Sequence, residues 1–417
     1  MRDVRYGLRL LIKSPGFSVV ALVTLAIGIG ATTAMFSVVN GVLLRPLPFK
    51  DPSRLVLLKE RLPKLVPRPV TIRAFDVDKY ARENTSLEAV AGYLPTSFDL
   101  TGHGMPQKVA GLRTGGKLFS LLGAAPLLGR TFTSDEDHPD SYLAVVSYRL
   151  WKQQMGGSPD VIGKTITLDR KPYQVIGVMP ADFAFPPRVE TPPEVWVPMG
   201  FTPEELQPGA SSFAYGALAR LKPGVAMAQA QSDVGRIGNE IEQSLAAGRR
   251  GDLQVSGVVV PLKDEVIGDV RKPLLVLFLA VVFVLLISVV NVANLLLARG
   301  TARQRELAIR IALGAGARRV VSQLLVESVI LGLAGGALGI LLAAGATSAF
   351  IHLVPPNLIR LDGIGVDGRV LAFMVIISIV AGLAFGAAPA VFALHTNVNE
   401  KLKEGGRGTS VGRQHQR

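Results

Sequence analysis

The sequence predicts a membrane protein with four transmembrane α-helices and a large α/β extracytoplasmic domain inserted between helices 1 and 2. Three observations carry the prediction. Lys272 and Arg299 bracket 26 residues without a charge, and Ser328–Ile359 is a second uncharged stretch of 32. Each exceeds the roughly 20 apolar residues that span a bilayer's hydrocarbon core. Between them, segment 299–319 (RGTARQRELAIRIALGAGARR) carries six arginines against Glu306. A short basic loop between two spans belongs on the cytoplasmic side. Finally, 49% of residues are hydrophobic and mean hydropathy is +0.37, yet the net charge is +13.

The elements follow in order. Residues 1–14 form a cytoplasmic amphipathic helix with net charge +3. The first span is 15–44, with no charge between Lys13 and Arg45. A cleaved signal has an apolar core of about 7–15 residues; this run is twice as long, so an uncleaved anchor is expected. The 228 residues 45–272 have mixed composition and suffice for one or two globular units. The second span is 273–298, the loop 299–319 carries +5, and the third span is 320–350. A short balanced loop, 351–369, pairs Arg360 and Arg369 with Asp362 and Asp367 and belongs outside. The fourth span is 370–394, and the cytoplasmic tail 395–417 adds +3. The three basic segments carry +11 of the net +13, so the excess is a topology signal that places both termini inside.

Within 45–272, Ala144–Val146 predicts a strand, and Ser147 a cap for a helix reaching about Gln154. Ile166–Leu168 and Tyr173–Gly177 alternate around Asp169–Pro172 and predict a hairpin. Glu194–Val197 and Phe213–Leu221 predict further strands, and Ala226–Leu245 shows helical spacing. Such units indicate a mixed α/β domain.

The chain has no cysteine, which removes disulfide, thiolate-metal and thiol-nucleophile chemistry. Its five histidines never stand at metal-ligand spacing. Gly157–Thr165 approaches a phosphate-binding loop, but Ser158 occupies the position of the required first glycine. It predicts a turn entering the Ile166 strand. No GxSxG elbow, HExxH or paired-carboxylate helix appears, so no active site and no cofactor are expected in this chain. No aromatic-interleaved basic patch points to nucleic acid.

Other positions are chosen for what lipid demands. Gly332/Gly336 and Gly335/Gly339 form overlapping GxxxG patterns, and Ala26/Gly30/Ala34 and Gly382/Gly386/Ala390 repeat the spacing. Such faces let helices approach closely, either inside this bundle or against a second permease half. Glu327 lies about seven residues into the third span, where an acid needs a polar partner; Asn291 and Asn294 are candidates, as are Arg318 and Arg319. In the basic loop, Thr301-x-x-Gln304 predicts a capping box for a short helix, Glu306/Arg310 an i,i+4 pair, and Gly314 and Gly316 its end. That helix is either a lever for a cytoplasmic partner or a solvated topogenic loop.

Segment 305–328 (RELAIRIALGAGARRVVSQLLVES), followed by GGALGI at 335–340, resembles the FtsX-like permease domain of MacB-type ABC transporters, over about 273–400. AVVSYRLWKQQMGG, VIGKTITLDRKPYQVIGVMP and EVWVPM are similar to the MacB-like periplasmic core domain. The N-terminal segment from Asp3 to Phe49 resembles the duplicated-permease branch of that family. In those relatives the hairpin usually carries Asn-Gly where this chain has Asp169-Arg170; arginine tolerates positive φ poorly, so a different turn type is expected here. Duplicated permeases carry the unit twice and this sequence carries it once.

The resemblance implies a permease subunit of an ABC-type exporter or mechanotransmission complex in the bacterial cytoplasmic membrane. It also implies a separate ABC-type ATPase, a second permease copy or half, and a periplasmic adaptor as partners. ATP acts only through the ATPase. Arg305, Glu306, Arg310, Leu313, Gly314, Ala315 and Gly316 are the implied coupling elements. An FtsX-like scaffold that relays ATPase motion to a periplasmic enzyme without transport is the alternative.

Overall fold

The computed structural model describes residues 15–102, 106–187, 189, 191–208, 212–244, 254–302, 317–353 and 364–395. They divide into two units. One comprises the chain up to Arg45 and from Val270 onward; the other is Pro46–Asp269.

The first helix, α1 (Pro15–Val39), continues into a π-helical turn at Asn40–Leu44 that closes where the Arg45 N–H donates to the Asn40 carbonyl. The large domain then builds one mixed sheet from β1 (Leu55–Arg61), β2 (Leu87–Thr101), β3 (Gln107–Thr114), β4 (Leu128–Gly129), β5 (Leu143–Val146), β6 (Thr165–Leu168), β7 (Lys171–Val178), β8 (Val195–Pro198), β9 (Gly216–Leu221) and β10 (Ser256–Pro261). The order is β10-β1-β9-β2-β3-β8-β5-β7-β4, with β6 bridging β2 and β7. Only β3–β8 and β5–β7 pair in parallel among the described strands. Helices α2 (Ala74–Glu83), α3 (Leu118–Leu122), α4 (Tyr148–Gln154) and α5 (Met227–Ser244) cover it.

The two-residue period of a strand decides which core each side chain enters. On β1, Val56 and Leu58 join one cluster, beneath α2 and α5, while Leu55 and Leu57 join a second around Phe119 and Trp196. On β9, Ala217 and Ala219 join the first and Leu218 the second. A third cluster, around Trp151, Ile166 and Val175, underlies the β5–β8 end. The edge strand β10 is not left open: Gln231 of α5 donates its Nε2–H to the Gly257 carbonyl at 2.8 Å and accepts the Val259 N–H at 2.9 Å. A covered edge cannot template pairing with another chain.

The predicted strands and helices around β5, α4, β6, β7, β8, β9 and α5 all appear, and Ser147 caps α4 by accepting the Leu150 N–H. The segment resembling a phosphate loop is a short 3₁₀ turn, Pro159–Val161, capped by Ser158 and leading into β6. The hairpin turn departs from expectation. Asp169 and Arg170 both take positive φ, +48° and +65°, so the type I′ signature is kept without Asn-Gly. Tertiary bonds overrule the local preference: the Asp169 carboxylate accepts the Asp99 N–H at 2.8 Å, and its own N–H donates to the Asp99 carbonyl.

Three long helices follow: α6 (Leu262–Ala302), α7 (Ala317–Leu353) and α8 (Gly368–His395). With α1 they are four helices long and apolar enough to cross a membrane, over Pro15–Leu44, Leu262–Arg299, Val321–Ala349 and Gly368–Val391. The second helix begins at Leu262, ahead of the span predicted from Pro273, and passes through Pro273 without ending. Its charged first turns are helical because Leu262 and Val266 insert into the second core and Glu265 meets Lys59 at 2.6 Å. Asp264 and Glu265 also suit a helix N-terminus.

Candidate functional site

In lipid, backbone approach is set by small residues, because apolar side chains gain nothing by leaving lipid for one another. The two GxxxG patterns on α7 sit on different faces, three residues or roughly 60° apart. Gly332 and Gly336 face α8: a Cβ on Gly332 would lie 2.5 Å from the Ser378 carbonyl oxygen, and one on Gly336 would strike Ser378 and Met374. Gly382 and Gly386 return the contact against Val329 and Ser328. Gly335 and Gly339 face α1, against Leu25 and Gly30, and a Cβ on Gly30 would lie 2.8 Å from the Gly339 carbonyl oxygen. The pairings run parallel for α1–α7 and antiparallel for α7–α8. All these glycines therefore pack within this bundle. The α6 helix touches α1 near Gly28 through Ser288 and Leu285, and turns Val276, Phe283 and Ile287 outward, 56–69% exposed. Such a face suits lipid.

The polar positions are arranged otherwise than predicted. Glu327 is half-buried, and its Oε1 accepts from Gln323 Nε2 at 3.1 Å, one turn earlier on the same helix. Asn291 and Asn294 are exposed on α6, and Arg318 and Arg319 are exposed on α7. Helical spacing already supplies an i−4 amide, so the acid has no need of a neighbouring span.

The sequence reading missed a polar latch at the other end of the bundle. Asn40, almost wholly buried, donates from Nδ2 to Asp367 Oδ2 at 3.0 Å. Ser37 donates to the Gly365 carbonyl at 2.7 Å. Asp367 Oδ1 accepts the Arg369 and Val370 N–H groups at 3.0 and 2.9 Å and so caps α8. The Val370 N–H holds the Asp367 carboxyl below its ordinary range against a small burial effect, with Asn40 and Arg369 assisting. Phe36 and Phe373 stack 4.0 Å apart beside it. A signal existed: Asn40 is the one amide side chain between Lys13 and Arg45.

The coupling residues Arg305, Glu306, Arg310, Leu313, Gly314, Ala315 and Gly316 lie outside the described residues, as does the 1–14 helix. Their flanks are described. Thr301, predicted to cap a new helix, belongs instead to the last turn of α6, and α7 begins at Ala317. At that end of the bundle the Arg299 guanidinium lies over the Phe17 ring at 4.8 Å. Among the described residues no group of three or more His, Asp or Glu could hold a metal ion.

Residues 18–237 match the family model of the MacB-like periplasmic core domain, and residues 278–398 that of the FtsX-like permease C-terminal domain. The chain belongs to the MacB/FtsX-like family of ABC permeases. It is similar to the macrolide export ATP-binding/permease protein MacB of Escherichia coli K12, 27% identical over 277 residues, which is 66% of this chain and 40% of that protein. The protein of the same name from Burkholderia thailandensis is 29% identical over 241 residues, 57% of this chain and 35% of that one. The chain thus spans about two fifths of the length of the curated relatives it matches. Among solved structures it is similar to the periplasmic region of MacB from Actinobacillus actinomycetemcomitans, at 11% identity, 56% of this chain, 95% of that chain and a TM-score of 0.38. With four apolar helices and sequence relatives of the MacB family, it is a multi-pass inner-membrane protein.

Proposed function

We propose that this chain is the permease subunit of a MacB-like exporter or mechanotransmission complex. A separate ABC-type ATPase binds its cytoplasmic face, and ATP hydrolysis there moves the extracytoplasmic domain to transport or extract a substrate. A second permease copy completes the complex, and a periplasmic adaptor joins it outside. The chain itself performs no catalysis and uses ATP only through its partner. The observation that carries the reading is α6. It begins among core residues of the large domain and continues as the second span to Ala302, four residues into the arginine-rich segment 299–319. The charge distribution supports the orientation, since +11 of the net +13 falls on three segments assigned to the cytoplasm. The names of the relatives join ATP binding to export, and export driven by ATP is what is carried over here.

In this reading Arg305, Glu306, Arg310 and the turn 313–316 meet the ATPase. The test is the double variant Arg305→Glu/Arg310→Glu of the tagged full chain, purified in mild detergent. Exposed substitutions stay within about 0.5 kcal/mol of neutral, so insertion and thermal stability should hold. Reversing two charges at a desolvated contact costs several kcal/mol, so co-purification of the ATPase should be lost. Partner binding at the wild-type level would reduce the loop to a topogenic signal and end the proposal.

A further inference from the structure

Four ionisable side chains are buried together in the large domain and take no part in the function proposed above. Glu60 near the end of β1 and Asp76 and Tyr80 on α2 are each 0% exposed, and Arg73, just before α2, is 3% exposed. Arg73 and Asp76 form a closed pair. Nε donates to Oδ2 at 2.7 Å, Nη2 to Oδ1 at 2.8 Å, and the Arg73 backbone N–H to Oδ2 at 3.1 Å. The remaining Arg73 nitrogen donates to the Pro208 carbonyl at 3.1 Å, and the guanidinium lies 5.4 Å from the Phe213 ring centroid. Both Asp76 oxygens are therefore engaged by Arg73, whose charge is committed to them.

Glu60 has no such partner. As a carboxylate it finds no donor for either oxygen, and the Tyr80 hydroxyl is also unpaired. Asp76 and Tyr80 stand one turn apart on α2, and both bear on Glu60 electrostatically. Two carboxylates meeting over one guanidinium lack a donor, and a proton supplies it. Among the described residues the surroundings offer no second cation. On this face of the core α5 presents Ala230, Val234 and Ile237, β9 presents Ala217 and Ala219, and β10 presents Val259. Tyr215 gives its hydroxyl to Glu205 at 2.6 Å. Opposite Glu60 on β10 is Gly257, where a Cβ would come 2.6 Å from the Tyr80 hydroxyl; the missing side chain leaves room for it.

We propose that Glu60 is a buried proton-binding site, which at neutral pH holds a proton, donates it to Asp76 and accepts from Tyr80, so clamping α2 to β1. Burial, and after it the Asp76 charge, push the Glu60 acid well above the ordinary carboxylate range, with Arg73 pulling the other way. Because the folded state binds the proton more tightly than the unfolded chain, the clamp is at full strength below the ordinary carboxylate pKa. It weakens as pH rises towards the folded pKa. On the extracytoplasmic side this makes α2 an element that loosens as the surroundings turn alkaline.

The test uses the purified full chain in detergent and Glu60→Gln. The amide keeps the shape and neutrality of the protonated acid, with an N–H for Asp76 and an oxygen for Tyr80. Infrared difference spectra at neutral pH should show one protonated-acid carbonyl band in the wild type that the variant lacks. Melting temperatures should coincide near pH 5, and the wild type should then fall relative to the variant by about 3–5 °C per pH unit until the acid has ionised. No acid band in the difference spectrum, or a gap in melting temperature independent of pH, overturns the proposal. So does a variant that fails to fold at every pH, because a neutral isostere would then not replace the acid.

Discussion

Gly332 and Gly345 lie on the same helix, α7, thirteen residues apart, and only one of them touches a neighbour. A Cβ on Gly332 would lie 2.5 Å from the Ser378 carbonyl oxygen and 3.3 Å from Gly382 Cα, whereas a Cβ on Gly345 would find nothing within 4 Å. Ordinary contacts begin near 3.4 Å, so Gly332→Ala must force α7 and α8 apart by about 0.9 Å or distort one of them, an overpacking that costs about 1–3 kcal/mol. Both alanine variants gain the same helix propensity, about 1 kcal/mol, so their difference isolates the packing. Unfolding of the full chain by graded denaturing detergent should place Gly332→Ala about 1–3 kcal/mol below Gly345→Ala. Self-association, followed by cross-linking, should be equal in the two. Equal stability would refute the packing argument. Equal stability with lost self-association would move the GxxxG face to a second copy.

Two further outcomes follow from the large domain. Burial raises the Glu205 carboxyl, but Arg113 at 2.8 Å, the Tyr215 hydroxyl and the Thr202 N–H outweigh it and hold it at about 2. A depressed pKa stabilises above the ordinary carboxylate value and is lost as pH falls towards about 2. The wild type should therefore lose about 1–2 kcal/mol more than Glu205→Gln between about pH 4.5 and pH 2, allowing for partial exposure; parallel acid limbs in chemical denaturation would contradict this. Arg170 holds φ at +65°, which costs an L-residue about 1–2 kcal/mol. Arg170→Gly should therefore raise the stability of the full chain by about 0.5–1 kcal/mol net of glycine's extra unfolded-state freedom, and a fall in the denaturation midpoint would show that the arginine side chain matters more than the turn.

The hairpin shows where local reasoning stops. Alternation around Asp169–Pro172 located two strands, because burial of one face imposes a period of two wherever the strand lies. The turn type was misjudged because Asp99, 70 residues away, contributes the bonds that hold it. Glu327 shows the reverse: the sequence found a costly intramembrane acid but looked to Asn291 and Asn294, when Gln323 was one turn away on the same helix. The GxxxG spacings were visible, but the sequence left both of their uses open until Ser378 and Gly30 were seen opposite them.

By itself the sequence determined that four segments enter a bilayer, which of their flanks carry the positive charge, that a mixed α/β domain lies between the first two, and which family the chain resembles. Those properties depend on runs of residues: hydrocarbon thickness sets a length, charge sets a side, and strand and helix periods repeat locally. The tertiary structure alone decided that Gly332 and Gly336 serve α8 while Gly335 and Gly339 serve α1, that Asn40 ties α1 to the cap of α8, and that Glu60 is buried near an ion pair with no donor for its oxygens among the described residues. Each of these depends on which distant residue stands opposite, and a one-dimensional pattern does not encode that, because the free energy of a buried contact belongs to both of its partners.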